Sequence, residues 1–302
     1  MFLSNNLFAT KYYVDPSSPV TISSGTITNP WKTITEVNNG TINLLPGDSV
    51  LFKRGQSFSG RLIIAASGTF TKPIVYSAYG TGNMPEFTHT TTDVISITNK
   101  QNIIIDGFKI IDKTMSTTDH GITAKISYGI VLNNAPYCTI SNCEITLVGV
   151  GIAATEGSDF TTISGNNIYN LRAVRNTIGG DDDYGANAMV IGTSTNKIIN
   201  NRFEGCWALS YDYGYDGGAV EFYGSTISDN IISNNSAINC NGFIEIGSGN
   251  YGIATNNLVS YNKIINCGPI GVFHNVTANN EVKVFNTQYF NNVIINTDRA
   301  LF

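Results

Sequence analysis

Two glutamates and one histidine stand at matching places in three similar segments of the sequence. The segments read Ala219-Val-Glu-Phe, Phe243-Ile-Glu-Ile and Val272-Phe-His-Asn, so their third positions are Glu221, Glu245 and His274. Two carboxyl groups about 5 Å apart can cleave a glycosidic bond with retention of configuration. Mutual repulsion would raise the pKa of one carboxyl group, which then acts as an acid beside an anionic partner. The histidine would tune or relay that proton.

These side chains meet only if the three segments are neighbouring strands in the same register. A short pattern recurs along the chain and predicts such strands. It consists of an apolar residue, two variable positions, Asn or a small or apolar residue, one variable position and another apolar residue. The intervals between copies, from 23 to 35 residues, fit the coils of an all-β parallel solenoid, whose strands stack about 4.8 Å apart. The copies begin at Ile105, Ile140, Ile163, Ile198, Ile232, Val259 and Tyr289.

Asparagine occupies the fourth position of most copies. Stacked amides can bond one another up the solenoid and satisfy turn backbone groups, which predicts a structural ladder. Five residues after three of the ladder positions stand Cys206, Cys240 and Cys267, which we expect to stack inside the solenoid as small hydrophobic groups. The five cysteines form no CxxC pair, so neither a zinc site nor a disulfide framework is indicated. The predicted ladder contains Asn166, Asn201, Asn235, Asn262 and Asn292.

The alignment places one column of residues on one predicted sheet. Because strand side chains alternate between faces and the flanking residues are apolar, the column should face outward. Three interpretations remain open for its polar members: a catalytic pair with a histidine, three solvated surface residues, or a calcium site at Glu221, Glu245 and Asp216. Stacked like charges destabilise a sheet, which favours a functional interpretation. The column contains Ala153, Val190, Glu221, Glu245 and His274.

Two long insertions, residues 172–187 and 207–218, precede the strands of Val190 and Glu221. Insertions in a solenoid collect on its binding face, where aromatic rings can stack on sugars and acidic groups can bond hydroxyls. Asp216 is close in sequence to Glu221 and is predicted to support catalysis. Asp182 and Asp183 have two further interpretations, as solvated acids or calcium ligands. The predicted substrate-binding residues are Asp182, Asp183, Tyr184, Trp207, Tyr211, Tyr213, Tyr215, Tyr223 and Asn275.

The N-terminal part contains Tyr12-Tyr-Val-Asp-Pro, Trp31-Lys-Thr-Ile-Thr-Glu, Leu45-Pro-Gly-Asp-Ser-Val and Pro73-Ile-Val-Tyr-Ser-Ala-Tyr-Gly. With these segments and the repeats, the chain resembles the right-handed parallel β-helix proteins of the pectate-lyase-like superfamily, in particular extracellular bacterial carbohydrate-active proteins. The resemblance implies a short helix near residues 31–37 that caps the first coil. We expect one domain over residues 1–302, with a strand and cap in 1–46 and coils in 47–302. Residues 289–302 still follow the repeat, which predicts further coils or another chain beyond them.

Charge and hydropathy exclude several partners. With 17 Lys and Arg against 22 Asp and Glu, the net charge is −5, so a nucleic-acid surface is not expected. No stretch approaches the roughly 20 apolar residues of a membrane span. Met1-Phe-Leu leads directly into Ser-Asn-Asn, so no intact signal peptide is present. Either a signal peptide has been removed or the protein is not secreted by this route. The resemblance implies a secreted or cell-surface protein.

The favoured functional prediction is an extracellular glycoside hydrolase that cleaves a polysaccharide or oligosaccharide with paired glutamates. Many related lyases use Lys or Arg as a base, whereas residues 220–261 contain neither. One alternative is a polysaccharide lyase or uronate epimerase with bound calcium and His274 or a nearby arginine in proton transfer. The other is a non-catalytic glycan-binding adhesin or tailspike-like module. No cofactor is required by the favoured prediction, and calcium remains an option.

Overall fold

Three parallel sheets run along the chain, because each repeat contributes one short strand to each of them. The computed structural model describes residues 9–89, 91–247, 252–269, 271–273, 275–276 and 280–297. Sheet A contains Lys11–Val14, Ser49–Lys53, Ile74–Tyr79, Ile103–Asp106, Thr139–Ser141, Thr162–Ser164, Lys197–Ile199, Ile231–Ser233, Leu258–Ser260 and Gln288–Phe290. Sheet B contains Ser57–Ser59, Glu86–Thr88, Lys109–Ile111, Glu144–Thr146, Asn167–Tyr169, Arg202–Glu204, Ser236–Ile238, Lys263–Ile265 and Val293–Ile295.

Sheet C completes each coil and is the sheet on which the predicted column lies. Its strands are Leu62–Ile63, Thr92–Thr98, Ile126–Asn133, Val150–Ala154, Asn187–Ile191, Gly218–Tyr223, Ile244–Gly247 and Gly271–Phe273. The remaining strands form small side sheets: Ala173–Arg175 with Tyr184–Gly185, Ala208–Ser210 with Gly214–Asp216, and a set made of Thr226–Ser228, Gly252–Thr255, Asn275–Val276 and Asn280–Phe285. The predicted all-β solenoid is confirmed, and its coils are those of a parallel β-helix.

The recurring sequence pattern forms the corner between sheets A and B. In the copy that begins at Ile140, that residue lies in sheet A and Ile145 in sheet B, and both side chains are fully buried. Between them Asn142 has a φ of 52°, a left-handed conformation that Asn tolerates better than most residues. The apolar positions therefore build the core, while the residue between them turns the chain.

The predicted asparagine ladder is confirmed by its hydrogen bonds. The Oδ1 of Asn201 accepts the backbone N–H of Asn166 at 2.9 Å and its Nδ2–H at 3.0 Å. Asn201 in turn donates from Nδ2 to the Oδ1 of Asn235 at 3.0 Å. A second ladder at another corner was not predicted and joins Asn196 to Asn230 by bonds of 2.9 Å. The three predicted stacked cysteines are buried, and all five cysteines are free thiols.

One short helix, Ile34–Gly40, followed by a 3₁₀ turn, Thr41–Asn43, covers the first coil. It begins later than expected because Thr33 is its N-cap, in a capping box with Glu36. The side chain of Asn38 donates to the carbonyl of Arg61 at 2.9 Å and accepts the N–H of Ile63 at 3.0 Å. These groups lie in the terminal strand of sheet C, Leu62–Ile63, and directly before it, so the helix satisfies an edge that would otherwise be open.

Candidate active site

Sheet C brings Glu221 and Glu245 side by side. The two strands pair Glu221 with Glu245, and the flanking residues on both strands are almost fully buried, including Val220 and Ile244. Since side chains alternate along a strand, both glutamates face outward, and each is half-buried. Neighbouring strands lie about 4.8 Å apart. The predicted stacking of two carboxylic side chains is therefore present.

The strand pairing confirms the predicted column on the Glu221 side of the glutamate pair and contradicts it on the Glu245 side. Val190 lies opposite Glu221, and Ala153 lies opposite Val190. On the other side Glu245 pairs with Val272, so the prediction that His274 occupies the column is wrong by two residues. A shift of two residues in the register of a strand keeps every side chain on its original face of the sheet. The alternating pattern of the sequence could therefore not reveal the error. His274 itself and the side chain of Asn275 lie outside the described residues.

The environment of Glu221 disfavours its ionised form. Burial raises its pKa most, and the charges of Glu245 and Asp216 add to this, so that the pKa rises to about 8. Its Oε2 accepts a hydrogen bond of 2.8 Å from the Nδ2 of Asn187. Asn187 is buried, and its Oδ1 finds no donor among the described residues. Glu221 is therefore held in place in surroundings that favour its protonated form.

Both predicted insertions fold as β-hairpins and are joined to each other. The first pairs Ala173–Arg175 with Tyr184–Gly185, and the second pairs Ala208–Ser210 with Gly214–Asp216, both antiparallel. The Oδ2 of Asp183, in the first hairpin, accepts the Oγ–H of Ser210 at 2.9 Å and the N–H of Tyr211 at 2.8 Å. The two insertions thus form one structure beside sheet C.

A cluster of carboxyl groups lies at this junction. Oxygen atoms of Asp182, Asp183 and Asp212 lie within 4.8 Å of one another. The Oδ2 of Asp212 accepts the N–H groups of Asp182 at 2.8 Å and Asp183 at 3.1 Å, and Asp182 forms an ion pair with Arg175. Burial opposes ionisation of Asp183, but its hydrogen bonds outweigh this and lower its pKa. Because these oxygens already have donors, the cluster fits a clamp between hairpins better than a calcium site.

A cleft of about 890 Å³ lies between the joined hairpins and sheet C. Its lining also includes Tyr128, Asn187 and Asn241, which had not been singled out from the sequence. The phenol oxygens of Tyr128 and Tyr184 lie 3.3 Å apart, and burial raises the pKa of Tyr128. The predicted site residues that line this cleft are Asp182, Asp183, Tyr184, Tyr213, Tyr215, Asp216, Glu221, Tyr223 and Glu245.

Two predicted sugar-binding residues do not line the cleft. The ring of Trp207 stacks on His120 at 3.8 Å and meets Tyr215 edge-on at 5.8 Å. Tyr211 is 65% exposed and contributes its backbone N–H to the clamp. The prediction that Trp207 offers a free ring to the cleft is corrected by this packing, which instead supports Tyr215 from outside the lining.

No family model matches the chain. Over 140 residues, 45% of this chain, it is 31% identical to a lacto-N-biosidase of Bifidobacterium longum subsp. longum, and the match spans 8% of that protein. The chain is similar in structure to an alginate lyase from Paenibacillus sp. str. FPU-7, with a TM-score of 0.54, 13% identity, and coverage of 96% of this chain and 99% of that one.

It is also similar to a GH136 lacto-N-biosidase from Eubacterium ramulus, with a TM-score of 0.51, 13% identity, and coverage of 97% of this chain and 68% of that one. Identities this low bear on the fold alone. No helix among the described residues combines the length and apolar character that crossing a bilayer would require. With its three parallel sheets, the chain has the right-handed parallel β-helix fold that its repeats and its resemblance had predicted.

Proposed function

We propose that the protein is a glycoside hydrolase that cleaves a neutral glycan in the cleft over sheet C. The observation that carries this proposal is the direct pairing of Glu221 and Glu245, two outward-facing carboxyl groups on adjacent strands, at the floor of that cleft. One strand spacing, about 4.8 Å, is close to the carboxyl separation of about 5–5.5 Å in retaining glycosidases.

The two glutamates take different roles because their surroundings differ. Glu221, with a pKa raised to about 8, holds a proton at neutral pH and gives it to the oxygen of the leaving sugar. Glu245 attacks the anomeric carbon as the glycosidic bond breaks, which forms a glycosyl-enzyme ester. Glu221, now a carboxylate, takes a proton from the incoming water, whose oxygen releases the sugar from Glu245. Both groups then return to their starting forms.

The cleft favours an uncharged substrate. Among the described residues that line it there are six acids and five tyrosines, but no Lys, Arg or His. A uronate would bring its own carboxylate to these acids without a cation to neutralise it, which speaks against the lyase and epimerase alternatives. The local identity to a lacto-N-biosidase supports a glycosidase. Neutral polysaccharides of this class occur outside the cell, and we propose that the protein is extracellular. Recovery of the protein from culture medium would test this.

The experiment compares the wild-type protein with Glu221→Gln and Glu245→Gln on neutral polysaccharides, on pectate and on aryl lacto-N-bioside. We expect new reducing ends from a neutral substrate without unsaturated uronate, with kcat/KM falling above about pH 8 as Glu221 ionises. Activity should survive EDTA, because the proposed mechanism needs no calcium.

The two variants separate the roles. Glu221→Gln should lose about 10²–10⁴-fold in kcat on a natural glycan and much less on an aryl glycoside whose leaving group needs no proton. Glu245→Gln should be inactive on both. The exposed Glu156, changed to Gln, is the matched control and should behave as wild type. Unsaturated products would establish a lyase, binding without products would establish a glycan-binding module, and full activity of Glu245→Gln would refute the pair.

A further inference from the structure

Exposed aromatic side chains follow one edge of sheet C, away from the cleft. They lie in turns that lead from sheet C to sheet A: Phe70 in one, Tyr137 two coils later and Phe160 in the coil after that. Phe70 is 85% exposed, Tyr137 45% and Phe160 49%. The rings of Tyr137 and Phe160 stack with centroids 4.9 Å apart and planes 6° from parallel. We call these three residues the aromatic row.

The backbone at two of these positions is unsuited to an aromatic residue. Tyr137 and Phe160 both have a φ of 58°, in the left-handed region where a bulky side chain is strained. Among the described residues, most of the other non-glycine positions with positive φ are occupied by Asn. In the next two coils the equivalent positions carry Thr195 and Asp229, so the turn itself does not require a ring.

Burial gives no compensation for this strain. About half of each ring faces solvent, so neither ring adds much to the core. A sequence selected only for stability would place Asn at both positions, as it does at most of the left-handed positions in the described part of this solenoid. An aromatic pair kept in a strained and exposed place indicates selection for contact with something outside the chain.

A pocket of about 390 Å³ adjoins the aromatic row, and its lining indicates the chemical class of the ligand. It is lined by Thr69, Phe70, Gln101, Asn102 and Tyr137, none of which is charged. It shares no lining residue with the cleft. Parallel flat rings with neutral hydrogen-bonding side chains beside them complement the apolar face and the hydroxyl edge of a sugar. An anionic ligand would find no cation in the lining.

We propose that the aromatic row is a second, non-catalytic glycan-binding site, which holds one stretch of a neutral polysaccharide along the solenoid. Sugar rings lie against Tyr137 and Phe160, and Gln101 and Thr69 bond their hydroxyls. The site is independent of the proposed hydrolase, since it uses no residue of the cleft. It would keep a polymeric substrate attached to the protein whether or not a cleavable bond occupies the cleft.

The test is affinity electrophoresis in gels that contain galactomannan, xyloglucan or mixed-linkage β-glucan, with polygalacturonate as the anionic comparison. We expect at least one neutral polymer to retard the wild-type protein and polygalacturonate not to do so. Tyr137→Asn and Phe160→Asn should each raise Kd about tenfold. Both variants should melt at the wild-type temperature or higher, because Asn accepts the left-handed backbone. Thr195→Asn, at the equivalent position of the next coil, is the matched control and should bind as wild type.

Unchanged retardation of both Asn variants would overturn the proposal, as would a wild-type protein that no neutral polymer retards. A wild-type dimer that becomes monomeric in Phe160→Asn, seen by sedimentation velocity, would instead make the row an interface between copies. The binding test of the aromatic row gives a result that is independent of the hydrolysis test of the cleft. Tyr137→Asn should hydrolyse a small aryl glycoside at the wild-type rate, whereas Glu221→Gln should keep its retardation in the gel.

Discussion

The same surroundings that let Glu221 act as an acid make its ionised form unfavourable in the folded protein. Burial, and then the charges of Glu245 and Asp216, raise its pKa from 4.5 to about 8. The unfolded chain therefore releases this proton at a lower pH than the folded chain does. Stability from this group is fully present below about pH 4.5 and is lost as the pH rises towards 8.

We therefore expect Glu221→Gln to raise the melting temperature at neutral and alkaline pH, because the variant has no proton to lose. The difference from wild type should be small near pH 4, grow with pH and level off above about pH 8. Scanning calorimetry across this range measures it, with Glu156→Gln as the exposed control. A difference that does not vary with pH would contradict the burial and repulsion assigned to Glu221.

At the residue scale, the sequence predicted those site residues whose positions follow from the alternation of side chains along a strand and from the alignment of the repeats. Glu221 and Glu245 were found because each lies between buried apolar residues on its strand, and these residues align the two strands in register. His274 was misplaced because the strand that pairs with that of Glu245, Gly271–Phe273, is only three residues long, and a shift of two residues preserves the alternating pattern. Asn187 was missed because its contact with Glu221 crosses between coils, and depends on the direction of a side chain rather than on its position in the column.

At the scale of elements, the two hairpins hold the cleft open in its present shape through a small number of contacts. Their positions as insertions were predictable, but their mutual attachment was not, because it depends on backbone donors that no side-chain pattern reveals. Asp183 contributes most, since its two oxygens accept bonds from Thr177, Ser210 and Tyr211. The solenoid beneath them is held by its own ladders, so the hairpins can loosen without unfolding the coils.

Asp183→Ala should detach the hairpins and lower kcat/KM, with little change in the melting temperature of the solenoid. Hydrogen exchange should rise in residues 176–183 and 210–216 and stay unchanged in sheets A and B. Because hydrogen bonds lower the pKa of Asp183, the wild-type clamp should itself weaken only as the pH falls below its ordinary value of 3.8. The exposed Glu156, changed to Ala, is the control. A rise in hydrogen exchange of equal size in all parts of the variant, relative to wild type, would show that the whole protein is loosened and not only the hairpins.

At the scale of the whole molecule, stability passes from coil to coil through interfaces between neighbours. The sequence predicted this architecture because Asn and apolar residues recur in phase at every corner. The number of ladders was not predictable from the same pattern, since the second ladder lies between sheet C and sheet A, where the connections vary in length. Asn196 and Asn230 show that this corner uses the same amide device as the first.

The position of a ladder residue should decide how much it stabilises the protein. Asn201 is buried and bonded to coils on both sides, where it accepts from Asn166 and donates to Asn235 and to the carbonyl of Ile163. Asn292 lies in the last described coil and is half-buried. Removing Asn201 leaves several buried groups on both neighbours without partners, each costing about 1–3 kcal/mol, whereas removing Asn292 affects one neighbour.

Asn201→Ala should therefore reduce the free energy of unfolding by about 3 kcal/mol and Asn292→Ala by about 1 kcal/mol. Urea unfolding measures both through the midpoint, provided that the slope stays constant. A lower slope in Asn201→Ala would mean that the solenoid now unfolds in two parts, which a linear array of coils permits when a central interface is weakened. Asn83→Ala, at an exposed turn, is the control. Equal losses at Asn201 and Asn292 would show that the ladder acts within each corner and does not couple the coils.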